Sequence, residues 1–583
     1  YFVAELEKSI MKKRWVINTP PEATKIEELS KKLNCHPVIA NLLLQRGITS
    51  SEQAQSFFYP SLNMLHDPFL MKDMDKAVRL DRAIAQDEKI LIYGDYDVDG
   101  TTAVSLLYKY LKHHCNSDNL EYYIPDRYTE GYGVSIKGID YAAENGFSLM
   151  LITDCGIKAV EKVKYANSRQ VDIIICDHHT PGDTLPEAIA VLDPQRPDCP
   201  YPYKWLSGCG VSFKLVQAHS LKHNLPMSEL YKLLDLLCVS IASDIVPITG
   251  ENRILAYFGL QQLNSNPSLG LKTIIKISGI DKEITINDIV FRIGPRINAA
   301  GRVESGRKSV ELLTADEKCS AAGIASDINT FNDQRKKLDH DITEEAIRHI
   351  NQSELEPSKK TTVLFNANWH KGVIGIVASR LTESFYRPTI ILTESNGLAT
   401  GSARSVEGFD LYYAISQCSE FLENYGGHKY AAGLTLKIEN IEPFKQKFER
   451  IVRETIDDEM LTPQINIDAK IKLTDITPDL YHMLQKFAPF GPNNTIPVFM
   501  TEKVTNFIGT KRVGRNNEHL KLVIVDDTRA CNDRSGIGFG MGHLYDKVNS
   551  GGFFDICYTL QENEFMGKND IQMIVKDIRL REE

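Results

Sequence analysis

Three short apolar runs, Ile90 to Tyr93, Leu149 to Thr153 and Val171 to Cys176, each stop abruptly at a polar cluster and read as strands buried on both faces. Between and after them the apolar positions take helical spacing. From Asp75 to about Val246, strands and helices therefore alternate as in βαβ units, which predicts a parallel sheet covered by helices on both sides. Upstream of about residue 75 the chain reads as helical, and Thr49-Ser50-Ser51-Glu52 fits a capping box ahead of Ala54 to Phe58. Ala315 to Ile350 is charged and free of Pro, with apolar residues at Ile324, Ile328, Phe331, Leu338 and Ile342, the pattern of one long connecting helix. A second α/β unit runs from Thr361 to about Ile456, with Thr362 to Phe365 and Thr389 to Leu392 as strands. From about Thr462, short strands such as Val523 to Val525 alternate with Gly, Asn and Asp turns, as in a small OB-type β-barrel. The expected boundaries are a helical segment over 1–74, a first α/β domain over 75–310, a connecting helix over 311–358, a second α/β domain over 359–460 and a barrel over 461–583.

Composition adds limits. At 583 residues the chain exceeds what one hydrophobic core supports, and its 42% hydrophobic and 25% charged residues are those of an ordinary globular protein. No apolar run approaches the roughly 18 residues of a spanning helix and no signal-peptide apolar region opens the chain, so a cytoplasmic location is expected. The 11 cysteines form no CxxC pair and read as buried thiols in a reducing compartment. Met11-Lys12-Lys13-Arg14-Trp15 reads as a more natural beginning than Tyr1, so residues 1–10 are left out of the functional reading. A net charge of −10 argues against a protein that coats nucleic acid. It is compatible with a nucleic-acid enzyme whose carboxylates are offset by divalent cations and whose basic groups are local.

The polar clusters that end the strands carry the chemistry. They are Asp95-Tyr96-Asp97-Val98-Asp99-Gly100, then Asp154 after Thr153, then Asp177-His178-His179, with Asp244 later in Ser243-Asp244-Ile245. Ligands gather at the carboxyl ends of strands in open α/β sheets, so these side chains are expected to converge. Alternating carboxylates place at least two on one cavity, Asp177 and His178 add mixed ligands, and Asp244 closes the set. Such a donor set suits two divalent ions about 3.5–4 Å apart, which ionise water cheaply and neutralise charge on a phosphodiester. Oxygen ligands favour Mg or Mn, and one or two imidazoles tilt the choice toward Mn. Taken singly, a DxDxDG is also a surface turn or a calcium loop, Asp154 also a turn or cap residue, and His178-His179 also a satisfied pair. Coincidence does not readily supply all four, in order, at strand ends.

These motifs, with Tyr93-Gly94 before Asp95, Ile124-Pro125-Asp126-Arg127, Glu130-Gly131-Tyr132-Gly133 and Gly294 to Gly301, make the chain resemble the DHH phosphoesterase superfamily. From about Lys12 to the C-terminus it resembles the single-strand exonuclease branch of that superfamily. The resemblance implies a two-lobed α/β fold: a parallel-sheet DHH domain, a smaller α/β DHH-associated domain joined by the long helix, and an OB-like barrel. It implies that Asp97, Asp99, Asp154, His178 and Asp244 bind two Mn2+ or Mg2+ ions, that Asp154 is essential to catalysis, and that His179 is a phosphate-side acid or donor. Where some members carry a histidine four residues before the middle Asp, this chain has Tyr93, and Asp95 is the substitute ligand.

The same resemblance implies substrate contacts. Arg127 and Tyr132, on a Gly-flanked loop, face the strand as a phosphate clamp and a stacking ring. Arg296 and Arg302 either clamp phosphate or hold the connecting helix by ion pairs. Ser402 and Arg404, in a Gly-bounded turn, resemble a pocket for a terminal 5′-phosphate, with a plain structural turn as the alternative. Gly426-Gly427-His428 matches a signature in which His428 reaches the scissile phosphate. Lys503, Lys511, Arg512, Arg515 and Lys521 with Phe507 fit a single-strand-binding barrel face, or simply a charged β-surface.

The implied function is 5′→3′ degradation of single-stranded DNA to mononucleotides during recombination and repair. The implied state is a monomer, off the membrane, working beside a helicase and a single-strand-binding protein. One rival is a DHH phosphodiesterase for short oligonucleotides or cyclic dinucleotides, against which the extra terminal domain argues. The other is a non-catalytic scaffold, which would have lost carboxylates that this chain keeps.

Overall fold

A computed structural model describes residues 12–352, 358–526, 533–565 and 568–581; the expected start at Met11 lies outside the described residues. The chain forms two compact units, one of Pro60–Asp341 with Pro489–Asn494, the other of Tyr1–Tyr59, Ile342–Ala488 and Thr495–Glu583.

The Pro60–Asp341 unit is built on a five-stranded sheet in the order Leu120–Tyr123, Ile90–Gly94, Leu149–Thr153, Asp172–Cys176, Ala190–Leu192, with every pairing parallel. The register sets Gly94 beside Thr153 and Thr153 beside Cys176, so the polar clusters that follow leave the sheet at one level. The apolar runs are continuous because each face has its own core. Ile90, Ile92, Leu149, Leu151, Ile174 and Cys176 enter one core, while Leu91, Tyr93, Met150, Ile152, Ile173 and Ile175 enter the other. The helices Val98–Leu111, Gly208–Lys222 and Leu234–Ser243 contribute to the first core and are buried almost all round, which is how they can carry backbone amides to the edge of the site.

In the other unit the N-terminal segment opens with a strand, Arg14–Ile17, paired in parallel with Gln464–Ile467, where a wholly helical segment was expected. Four residues are too few to show periodicity, and the partner is about 450 residues away. The helix Ser51–Phe58 is capped one residue later than expected: Ser50 accepts from the Gln53 amide and the Gln53 side chain returns to Ser50. A mixed sheet follows in the order Leu422–His428, Ala431–Leu436, Leu398–Arg404, Thr389–Ser395, Thr362–Phe365. Ser402 and Arg404 therefore sit in a strand and not in a turn. Gly401 is required within the strand because a Cβ there would come within 2.5 Å of Leu392 and 3.1 Å of Leu434 on the flanking strands. The C-terminal sheet has seven strands, and Phe499–Asn506 pairs with both Phe554–Phe565 and His519–Asp526, which closes it into an OB-like barrel. The long helix is Lys318–Gln352, close to its expected span.

Candidate metal centre

The carboxylates arrive at the site by different routes. Asp154 follows its strand directly and turns into the left-handed region, φ +60°, while its amide donates to the Cys176 carbonyl at 2.9 Å. Aspartate tolerates that conformation better than most side chains. Asp97 is the N-cap of the helix Val98–Leu111, with Oδ1 accepting from the Gly100 amide at 3.0 Å, and Asp99 lies in the first turn. Gly100 lets this turn fold back, since a Cβ there would lie 2.4–2.8 Å from the Asp95 backbone. Asp244 is the C-cap of Leu234–Ser243. It is followed by Ile245 at φ +60°, a strained setting for a β-branched residue.

His178 is the point of convergence. Its Nε2 stands 3.2 Å from Asp154 Oδ1, 3.6 Å from Asp244 Oδ2 and 3.7 Å from Asp99 Oδ2. Asp99 is fixed by three donors: the amides of Gly208 (2.6 Å) and Cys209 (2.9 Å) at the start of Gly208–Lys222, and the Ser240 hydroxyl (2.7 Å). Asp154 packs against that same helix start, for a Cβ on Gly208 would lie 2.6 Å from its Oδ1. None of these anchors was anticipated, although Ser207-Gly208-Cys209-Gly210 is a legible helix start.

Burial and then mutual repulsion push the carboxyls of Asp95, Asp97, Asp154 and Asp244 above their ordinary range. Asp95 Oδ1 and His178 Nε2 are buried without a hydrogen-bond partner. Crowded acids and orphaned lone pairs of this kind are what divalent cations satisfy, and the oxygen-rich set with one imidazole fits Mn2+ or Mg2+. Two overlapping groups, Asp154-His178-His179 and Asp99-His178-Asp244, each bring their donor atoms within 4.8 Å of one another.

Asp177, expected among the ligands, turns away from this cluster. It accepts from the amides of Ile157, His178 and His179 and contacts His179 Nδ1 at 2.7 Å. Burial alone would raise its carboxyl, but the His179 hydrogen bond and charge bring it down to about 2. In return, although burial depresses His179, Asp177 pushes it up to about 9. The far nitrogen of His179 lies 3.2 Å from the Tyr132 hydroxyl. Asp177 thus orients the His179 ring.

The expected substrate contacts divide. Arg127 stacks on Tyr96, 3.9 Å from the ring centre, and donates to the Gly301 carbonyl. Arg296 is occupied by Asn329 of the long helix and the Arg292 carbonyl, so it holds that helix by hydrogen bonds and not by an ion pair. Arg302 shares the helix Gly294–Val303 with Arg296.

In the other unit, Arg404 donates to Ser402 Oγ at 3.0 Å and to the Ala403 carbonyl at 2.8 Å, and burial lowers its pKa. Among the described residues no carboxylate pairs with it. Both side chains crowd Gly375 at the start of the helix Ile374–Phe385, where a Cβ would lie 2.9 Å from Ser402 Oγ and 3.1 Å from Arg404 Nη2. His428 is exposed at the end of its strand. On the barrel, Lys511 and Lys521 are cross-strand partners, and Lys503 (φ +54°) and Arg515 are exposed, as are Phe507 (43%) and Ile508 (88%). Arg512 is engaged by Asp546 at 2.6 Å and lies over Tyr545.

Comparison with known proteins places this geometry. The DHH family N-terminal domain matches residues 89–241, the DHHA1 domain 358–454 and the RecJ OB domain 467–577. The single-stranded-DNA-specific exonuclease RecJ of Bacillus subtilis is 37% identical over 575 residues, covering 98% of this chain and 71% of that protein. Its Salmonella typhimurium counterpart is 31% identical over 578 residues, covering 96% of this chain and 98% of that protein. The crystal structure of Thermus thermophilus RecJ with Mn2+ superposes with a TM-score of 0.83 at 25% identity, covering 98% of this chain and 80% of that one.

Proposed function

The chain belongs to the RecJ family of the DHH phosphoesterases, and from that premise we propose that it is a metal-dependent exonuclease that degrades single-stranded DNA from the 5′ end. It releases mononucleotides and serves recombination and repair. The observation that carries this reading is the single imidazole nitrogen of His178 ringed by Asp154 at a strand end, Asp99 in a helix first turn and Asp244 at a helix C-cap.

Asp97, Asp99, Asp154, His178 and Asp244 would hold two Mn2+ or Mg2+ ions, with Asp95 adding its orphaned oxygen. Bound there, the ions supply an easily ionised water and neutralise charge that grows on the phosphate. Asp99, locked by two amides and a hydroxyl, keeps the ligand set preorganised, so little reorganisation is needed during the reaction. His179, oriented by Asp177, donates toward the phosphate, and Tyr132 and Arg127 flank the strand.

Ser402 and Arg404 bind the terminal 5′-phosphate. An acid-free guanidinium beside a hydroxyl and a helix start suits a dianionic end group and accounts for the polarity. His428, exposed at its strand end, contributes a contact to a substrate phosphate. Lys503, Lys511, Arg515, Lys521 and Phe507 capture the strand on the barrel, with Arg512 contributing only after Asp546 is displaced. No described helix is long and apolar enough to cross a membrane. We place the protein in the cytoplasm as a monomer, fed by a helicase and aided by a single-strand-binding protein.

The test is Mn2+-dependent release from a long 5′-phosphorylated single strand, compared with the same sequence as duplex and with a dinucleotide. The long single strand is expected to be degraded fastest. Faster turnover of the dinucleotide would transfer the assignment to a small-substrate phosphodiesterase.

A further inference from the structure

A second cluster of metal-ligating side chains lies in the Pro60–Asp341 unit and takes no part in the chemistry above. His219, in the last turn of Gly208–Lys222, and His223, its C-cap, are four residues apart and present their rings on one face of the helix, 4.7 Å between centres. Opposite them stands Asp81 of the short helix Arg79–Ala85. Asp81 Oδ1 lies 3.3 Å from His223 Nε2 and 3.7 Å from His219 Nε2, and the three donor atoms are all within 4.8 Å of one another. Two ligands about 2.0–2.1 Å from a tetrahedral zinc-type ion stand roughly 3.3 Å apart, so the two Asp81–imidazole spacings need at most a few tenths of an ångström of adjustment.

Two further observations point to a ligand. The His219 side chain is only 7% exposed, and its Nδ1 is engaged at 2.7 Å by the Tyr110 hydroxyl, which also contacts Ser220 at 2.7 Å. With Nδ1 so engaged, Nε2 aims at Asp81 Oδ1 from beyond hydrogen-bond distance. An outer partner that fixes one imidazole nitrogen while the other faces a carboxylate is the arrangement found around metal-bound histidine. Lys222 pairs with Asp81 through the other oxygen, Oδ2, at 2.7 Å, which orients the carboxylate and leaves Oδ1 for the cluster.

We propose that Asp81, His219 and His223 form a structural divalent-metal site of the zinc class, separate from the catalytic centre, with water completing the coordination. Two imidazoles and one carboxylate are a more nitrogen-rich set than the oxygen-dominated catalytic cluster, so the two sites select different ions. The site clips Arg79–Ala85 to the end of the helix whose first amides hold Asp99. It is therefore placed to stiffen the scaffold of the catalytic centre without touching substrate.

The experiment uses the full chain stripped by a chelator, then titrated with Zn2+ against a chromogenic competitor and with Co2+ followed by visible absorption. Tetrahedral Co2+ absorbs far more strongly than Co2+ in an oxygen-rich octahedral site, which separates the two centres. Wild type is expected to show the strong band. His223→Gln, altered at a half-exposed helix cap, should lose it and bind the corresponding Zn2+ equivalent at least tenfold more weakly, with Mn2+-dependent nuclease activity unchanged. Asp81→Asn should behave alike, and Asp154→Ala should retain the band. Circular dichroism first establishes that each variant is folded. A wild type without the band, a His223→Gln protein that keeps it, or its loss in Asp154→Ala overturns the assignment.

Discussion

Replacing Gly208 by Ala adds one methyl group at the point where two carboxylates of the candidate metal centre meet a helix start. The new Cβ would lie 2.6 Å from Asp154 Oδ1, 2.7 Å from its Cβ and 2.8 Å from its Cα, against ordinary contact at 3.4 Å or more. Relief requires a displacement of roughly 0.6–0.8 Å, borne either by Asp154 or by the helix start that donates to Asp99 at 2.6 Å. Both options misplace a carboxylate facing His178, and a shift approaching 1 Å at reacting groups costs on the order of 100-fold in rate. Overpacking of this kind costs about 1–3 kcal/mol of stability, which a domain of this size can absorb. Gly208→Ala should therefore remain folded by circular dichroism yet lose about 10- to 100-fold in kcat for Mn2+-dependent release from a 5′-phosphorylated single strand. Gly210→Ala, in the same turn, is the control: its Cβ would meet nothing closer than 3.3 Å and should leave activity near that of wild type. A folded Gly208→Ala enzyme with more than half of wild-type kcat would refute the claim that this packing sets the position of Asp99 and Asp154.

Asp154→Ala and His178→Ala should each reduce turnover below a few percent with Mn2+ in excess while the melting temperature stays close to wild type, because each removes a group facing the cluster. Arg404→Ala should reduce the preference for a 5′-phosphate over a 5′-hydroxyl end by at least tenfold while strand affinity changes less; equal losses on both ends would place the pocket elsewhere. Asp193 gives a pH prediction: burial, only partly offset by the Gln195 amide, pushes its carboxyl up to about 8, and one of its oxygens is buried without a partner. Its folded value lies above the unfolded one, about 3.9, so the folded protein holds an extra proton and loses stability as pH rises from about 4 to about 8. The gain in melting temperature from Asp193→Asn should grow between pH 5 and pH 8, and a gain independent of pH would exclude the carboxyl as its source.

The strands that carry the site were legible because burial on both faces leaves an uninterrupted apolar run, and each run ends where its chemistry begins, at Asp95, Asp154 and Asp177. Strand-end geometry leads one to expect the clusters after the strands to converge, whereas Asp99 and Asp244 reach His178 from a helix first turn and a helix C-cap. What the residues did not disclose were the contacts made across large sequence separations. The amides of Gly208 and Cys209 that fix Asp99 are about 110 residues away from it, and no local pattern links them. Asp177 looked like a ligand because its neighbour His178 faces the cluster, yet its own side chain follows the backbone toward Ile157. Gly401 resembles a turn residue in sequence, whereas it serves close packing within the mixed sheet. Arg512 looked available for a nucleic acid because Asp546, which neutralises it, lies on a later helix. Sequence thus reveals residue types at element ends, and long-range pairing decides which of them are free to act.

Removal of nucleotides one at a time from the 5′ end of a single strand is the activity proposed for this cluster of carboxylates and histidines. It is tested most directly by a time course on one long 5′-phosphorylated strand, labelled in parallel preparations at its 5′ or its 3′ terminus, with Mn2+ present. The 5′ label is expected at once as a mononucleotide, the 3′-labelled strand is expected to shorten progressively from the other end, and both signals are expected to vanish in His178→Ala. Early release of the 3′ label, or internal fragments that keep the 5′ label, would contradict it.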